Sequence, residues 1–81
     1  MPITKEDLKI WVVEALRSLG GRATVFEVSK HIWTHHEPEL RGAERLLYTW
    51  QYDIRWAAKK LRDEGVMKAV DGSRSRPWEL A

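Results

Sequence analysis

The sequence predicts an α+β domain, with three helices followed by a small β-hairpin, and its 81 residues leave room for one such domain, 1–81. Three observations carry that reading. Apolar residues recur at helical spacing in three separate stretches, glycines stand where two of those stretches should stop, and the period shortens to that of a strand after Gly65.

The first helix is expected from about residue 5 to 19. Thr4 and Asp7 frame a capping box, and Leu8, Trp11, Val12, Ala15, Leu16 and Leu19 form one apolar stripe. Gly20-Gly21 ends it, because glycine accepts the left-handed conformation of a helix C-terminus. Arg22-Ala23 reads as a brief extended link. Thr24 and Glu27 then repeat the capping logic for a second helix, whose buried face is Val25, Val28 and Ile32. This helix should fade near Thr34 to His36, since Pro38 disfavours a helical residue before it.

Residues 37–48 read as an insertion. It holds a short helical segment begun by Pro38 and interrupted by Gly42, with Leu40, Leu46 and Leu47 packing inward. Thr49 is the expected cap of a third helix running to about Glu64. Trp50, Ile54, Ala57, Ala58 and Leu61 form its apolar side; Gln51, Arg55, Lys59 and Arg62 form another. Beyond Gly65, Val66 to Val70 reads as a strand, Asp71-Gly72-Ser73 as a turn, and Trp78-Glu79-Leu80 as a returning strand. Three helices and a hairpin in this order make a winged helix-turn-helix, whose third helix can enter a major groove while the hairpin forms the wing.

Charge is distributed unevenly. The formal net charge is only +2, but residues 1–40 hold five Lys/Arg against six Asp/Glu, whereas residues 41–76 hold nine against five. Basic charge gathered in one half points to an electrostatic footprint on nucleic acid, double-stranded DNA for this fold. Expected contacts are Tyr48, Thr49, Gln51, Tyr52 and Arg55 toward base edges, with Lys59, Lys60 and Arg62 toward phosphates. The wing tip, Ser73, Arg74, Ser75 and Arg76, is suited to a phosphate pair or a narrow minor groove. Of the five tryptophans most belong to the core. Trp50, at the expected start of the third helix, offers a flat surface for a base methyl group.

From helix 3 onward the residues resemble a known family. Arg55-Trp56-Ala57, Leu61, Gly65 and Val66-Met67 match the spacing in the N-terminal winged-helix domain of Mrr-type, modification-dependent restriction endonucleases. The Gly-Gly pair, the Thr24-Val25 start of helix 2 and the Leu-rich stretch before helix 3 are similar as well, so the likeness runs over about residues 8–80. The wing departs from the pattern, with Arg74-Ser75-Arg76-Pro77-Trp78 in place of a compact Arg-Gly turn. The resemblance implies a DNA reader of a restriction system, served by a separate nuclease domain, fused or associated. It also implies that a methylated base is read, with Trp50, Tyr48 and Tyr52 as the residues to meet it. A chain ending at Ala81, directly after a strand, reads as an excised or free-standing reader module.

Other chemistries find little purchase. The chain has no cysteine, so disulfides and thiolate ligands are excluded, which fits a reducing cytoplasm. His31 and His35 are four apart, but with only Glu37 or Glu39 nearby no metal site is expected, and the histidines should be solvated or bonded to backbone. No cofactor motif, clustered carboxylates or nucleophile with a base is present, so no enzyme is expected. No membrane span or signal-peptide pattern appears, and a cytoplasmic location follows. The alternative is a winged helix that binds protein, as an assembly adaptor or dimerising regulator, through Ile10 and Val13 off the helix 1 stripe.

Overall fold

The computed structural model describes residues 4–68 and 77–81. The domain is α+β: helices α1 (Lys5–Ser18), α2 (Val25–Arg41) and α3 (Arg45–Asp63), with strands β1 (Arg22–Ala23) and β2 (Trp78–Glu79).

Local chemistry sets most boundaries. The Thr4 amide donates to the Asp7 carboxylate at 2.9 Å, covering the N-terminus of α1. At α2 the box is reciprocal: Thr24 Oγ1 accepts from the Glu27 amide at 3.1 Å, and the Thr24 amide donates to Glu27 Oε1 at 3.0 Å. Both α1 and α3 end in Schellman motifs. After α1 the Gly20 amide reaches the Arg17 carbonyl and the Gly21 amide reaches that of Leu16. After α3 Gly65, at φ +78°, bonds Arg62, and the Val66 amide bonds Leu61.

Between residues 34 and 49 one expectation holds and one fails. Helical geometry lapses at His36, at φ −128° and ψ 18°, and a second helical segment follows with Pro38 in its first turn, where its missing N–H leaves nothing unpaired, so α2 spans two segments across a kink. Helix α3 starts at Arg45, not at Thr49, so the supposed insertion is mostly helical. Thr49 cannot cap because its hydroxyl is used inside the helix, donating to Asp53 Oδ2 at 2.8 Å. Burial of Leu46 draws the first turn onto the core, and Glu44 takes the turn between the helices at φ 53°, ψ −90°.

The sheet also differs from a simple hairpin. β2 pairs antiparallel with β1, in the register Arg22↔Glu79 and Ala23↔Trp78. On its other edge Leu80 bridges Met67, with the Lys68 amide donating to the Glu79 carbonyl at 2.9 Å. The returning strand therefore lies between the Arg22–Ala23 link and the residues following α3. The expected strand from 66 to 70 is represented by Met67 alone, its last two residues lying outside those described.

One core joins these elements. Leu8, Val12 and Leu16 of α1, Ile54, Ala57 and Leu61 of α3, and Val28, Ile32 and Leu40 of α2 are buried together in it. Trp78 closes the lower end from β2. With its inner face fixed this way, α3 presents its opposite face outward.

Candidate nucleic-acid interface

At 100° per residue, Arg45, Tyr48, Tyr52, Arg55 and Lys59 of α3 fall on one stripe, and all five are exposed. Tyr48 and Tyr52 are 85% and 78% exposed, more than the other large apolar side chains described. Gln51 is exposed on the flank of the stripe. Arg45, Arg55 and Lys59 have no ion pair among the described residues, so their charge is directed to solvent. Asp53, the carboxylate midway along the helix, is buried at the floor of a shallow cleft that Arg45, Tyr48 and Tyr52 also line, and is held by the Thr49 hydroxyl, with Lys5 Nζ 3.9 Å away. Among the described residues the acidic groups bordering the stripe are the buried Asp53 and, one turn beyond Lys59, the exposed Asp63.

The structure places the expected contacts unequally. Tyr48, Gln51, Tyr52, Arg55 and Lys59 share the outer face. Thr49 is half-buried with its hydroxyl committed to Asp53, so it does not stand at an open helix end. Trp50 is buried, stacked on Trp33 with centroids 5.9 Å apart and planes 9° from parallel, and does not present a flat surface to a base. Lys60 is exposed but lies roughly 100° around the helix from Lys59, off the stripe. Arg62 is half-buried, its guanidinium 5.8 Å from the centre of the Trp78 ring and its Nε without a partner. It braces α3 against β2. Ser73, Arg74, Ser75 and Arg76 lie outside the described residues.

Two contributors escaped sequence reasoning. Arg45 was assigned to an insertion, although its spacing of three from Tyr48 and seven from Tyr52 was the available signal. Lys5 comes from the start of α1, and no local pattern indicates that it lines a shallow cleft with Arg45, Tyr48, Thr49, Tyr52 and Asp53. Its ammonium also stands 5.5 Å from the centre of the Trp56 ring.

The histidines are not simply solvated. His36, at the bend of α2, stacks flat on Trp11 at 4.0 Å and sets Nε2 3.1 Å from Glu14, pinning α2 to α1. His31 lies 4.2 Å from His35, ring to ring. Its Nδ1 is buried without a partner, and burial, reinforced by His35, holds its pKa below the ordinary histidine value. Among the described residues no three His, Cys, Asp or Glu side chains gather as metal ligands, and no helix is long and apolar enough to cross a membrane.

Neither protein-family models, curated proteins nor solved structures yield a match to this chain.

Proposed function

We propose that the chain binds double-stranded DNA as a winged helix-turn-helix, with α3 as its recognition helix, and acts as a reader module for a restriction nuclease, fused or associated, in the cytoplasm. The observation that carries this is the exposed stripe of Arg45, Tyr48, Tyr52, Arg55 and Lys59, whose cations have no protein partner among the described residues. Arg45 and Lys59, at the two ends of the stripe, are matched by phosphates on either side of a groove wide enough for that helix. The residues between them, Gln51, Arg55 and the two tyrosines, offer an amide, a guanidinium and two aromatic rings to base edges. The domain contributes binding and no bond-breaking step.

Salt dependence tests this directly. Binding of a fluorescent duplex should weaken linearly in log–log form as salt rises. Arg45→Ala and Lys59→Ala should each flatten the slope by about 0.9, the value for one phosphate contact on B-form DNA. An unchanged slope in both variants overturns α3 as the contact surface. Methylated-base reading, with Trp50 withdrawn to the core, now rests on Tyr48 and Tyr52. Equal affinity for methylated and unmethylated duplexes of one sequence would remove it.

A second reading, a protein-binding winged helix, draws on a different face. Ile10 is 62% exposed beside Val13, Leu61 and Val66, an apolar cleft away from the stripe.

A further inference from the structure

We infer that the cleft between α2 and α3 binds a small, flat aromatic carboxylate, a function separate from duplex binding.

The cleft encloses about 660 Å³, within the range of ~300–1,000 Å³ that holds small molecules. Its apolar lining is largely aromatic. Trp50 lies deepest, at 5% exposure, Trp33 is half-buried beside it, and Phe26 stands at the opening, 75% exposed. The Trp33 and Trp50 rings are 9° from parallel. The Arg41 guanidinium, held by Glu37 at 2.7 Å, lies 5.2 Å from the centre of the Trp33 ring and steadies it. A flat ligand therefore joins a stack that already exists, and stacked rings gain beyond the area they bury. Phe26 is otherwise unexplained. Thr24 and Glu27 cap the helix without it, and its ring is not packed on the core.

Polar groups in the same cleft set the charge of the occupant. Ser29 and Lys30 come from α2 and Gln51 from α3. None of these three side chains has a hydrogen-bond or ion-pair partner among the described residues. Lys30 is the charged residue of the lining, and no carboxylate accompanies it. Glu27, one position from Phe26, is turned to the helix cap, accepting from the Thr24 amide at 3.0 Å. An unpaired ammonium beside aromatic faces calls for an anion on a ring. The Ser29 hydroxyl and the Gln51 amide add neutral donors for the carboxylate oxygens. A protein partner or a second copy of the chain is a poorer fit. The apolar surface open here is Phe26 with the uncovered parts of Trp33 and Leu47, far below the roughly 800 Å² per partner of a standard interface.

The test is two-dimensional NMR of the full chain, without DNA, titrated with 2-naphthoate. Saturable shifts are expected at the indole N–H signals of Trp33 and Trp50 and at the amides of Phe26, Ser29 and Lys30, with Trp11, Trp56 and Trp78 unmoved. The neutral 2-naphthamide and the saturated decahydro-2-naphthoate should each bind about five-fold more weakly, the first for want of charge and the second for want of a flat ring. Lys30→Gln should cost naphthoate about five-fold, the upper end for an exposed ion pair, and make acid and amide bind alike. Phe26→Ala should cost about ten-fold, with the melting temperature unchanged because the ring is exposed. Equal binding of naphthoate, its amide and its saturated form by the parent overturns the inference, as do shifts centred on Ile10 and Val13. Movement of the Trp33 and Trp50 signals on dilution without ligand assigns the cleft to a second copy. Movement with a short acidic peptide carrying one tryptophan, but not with naphthoate, assigns it to a protein. Either result overturns the small-molecule site. Because no duplex is present, failure here leaves the DNA reading standing, and failure of that reading leaves this site untouched.

Discussion

Glu44 occupies a conformation that side chains avoid. Its φ of 53° and ψ of −90° place it in the turn between α2 and α3, where strain of about 1–3 kcal/mol is ordinary for a residue with a Cβ. Glycine relieves that strain but gives up about 0.5–1 kcal/mol of chain entropy. Glu44→Gly should therefore raise the melting temperature by several degrees, since each kcal/mol is worth about 4–8 °C in a domain of this size. His31 works in the opposite sense. Burial disfavours its charged ring, so the unfolded chain takes up the proton more readily as pH falls below the ordinary histidine value of about 6.5. Its neutral form supports folding above that pH, and the support is lost as pH drops through the lower folded-state value. Denaturant titrations at pH 7.5 and pH 5 should show a larger loss for the wild type than for His31→Phe. Identical losses would mean that His31 is not the titrating group.

Helix ends are the elements that aim the candidate site. The Schellman motif at Gly65 ends α3 and turns the chain so that Met67 reaches the edge of Leu80. An added Cβ at Gly65 would meet no atom within 4 Å, so Gly65→Ala carries only the left-handed backbone cost of about 1–2 kcal/mol, visible as a lower denaturant midpoint. Gly42 provides the contrast. It has ordinary helical dihedrals and room for a methyl at van der Waals distance, so Gly42→Ala should stabilise the fold by about 0.4–1 kcal/mol, visible as a higher denaturant midpoint. The bend at His36 is equally positional: it lets α2 leave the axis set by Thr24 while Leu40 still reaches the core, and the His36–Trp11 stack holds it there.

For the whole molecule, the stripe on α3 and the apolar cleft around Ile10 lie on different faces, so DNA binding and self-association can be separated experimentally. Ile10→Glu places a charge where an apolar partner surface would sit. If the cleft joins two copies, sedimentation should show the variant as a monomer and the parent as a dimer, with duplex affinity per chain preserved at a single half-site. A parent that remains monomeric at high concentration disposes of the self-associating form of the second reading.

Much of this architecture is legible along the chain because it depends on near neighbours. The capping pairs Thr4/Asp7 and Thr24/Glu27, the glycines at 20, 21 and 65, and the apolar spacing on α1 and α3 act within about one helical turn. The tertiary structure decided what near neighbours cannot. Packing of Leu46 and the Thr49–Asp53 bond moved the start of α3 to Arg45, and Trp33 drew Trp50 inward. Pairing of β2 with the distant Arg22–Ala23 put the returning strand between two segments. Local hydrogen bonds and periodicity therefore determined that there are three helices and how they end. Burial against residues far away in the chain decided which side of α3 faces outward, and so which of its residues are open to a partner.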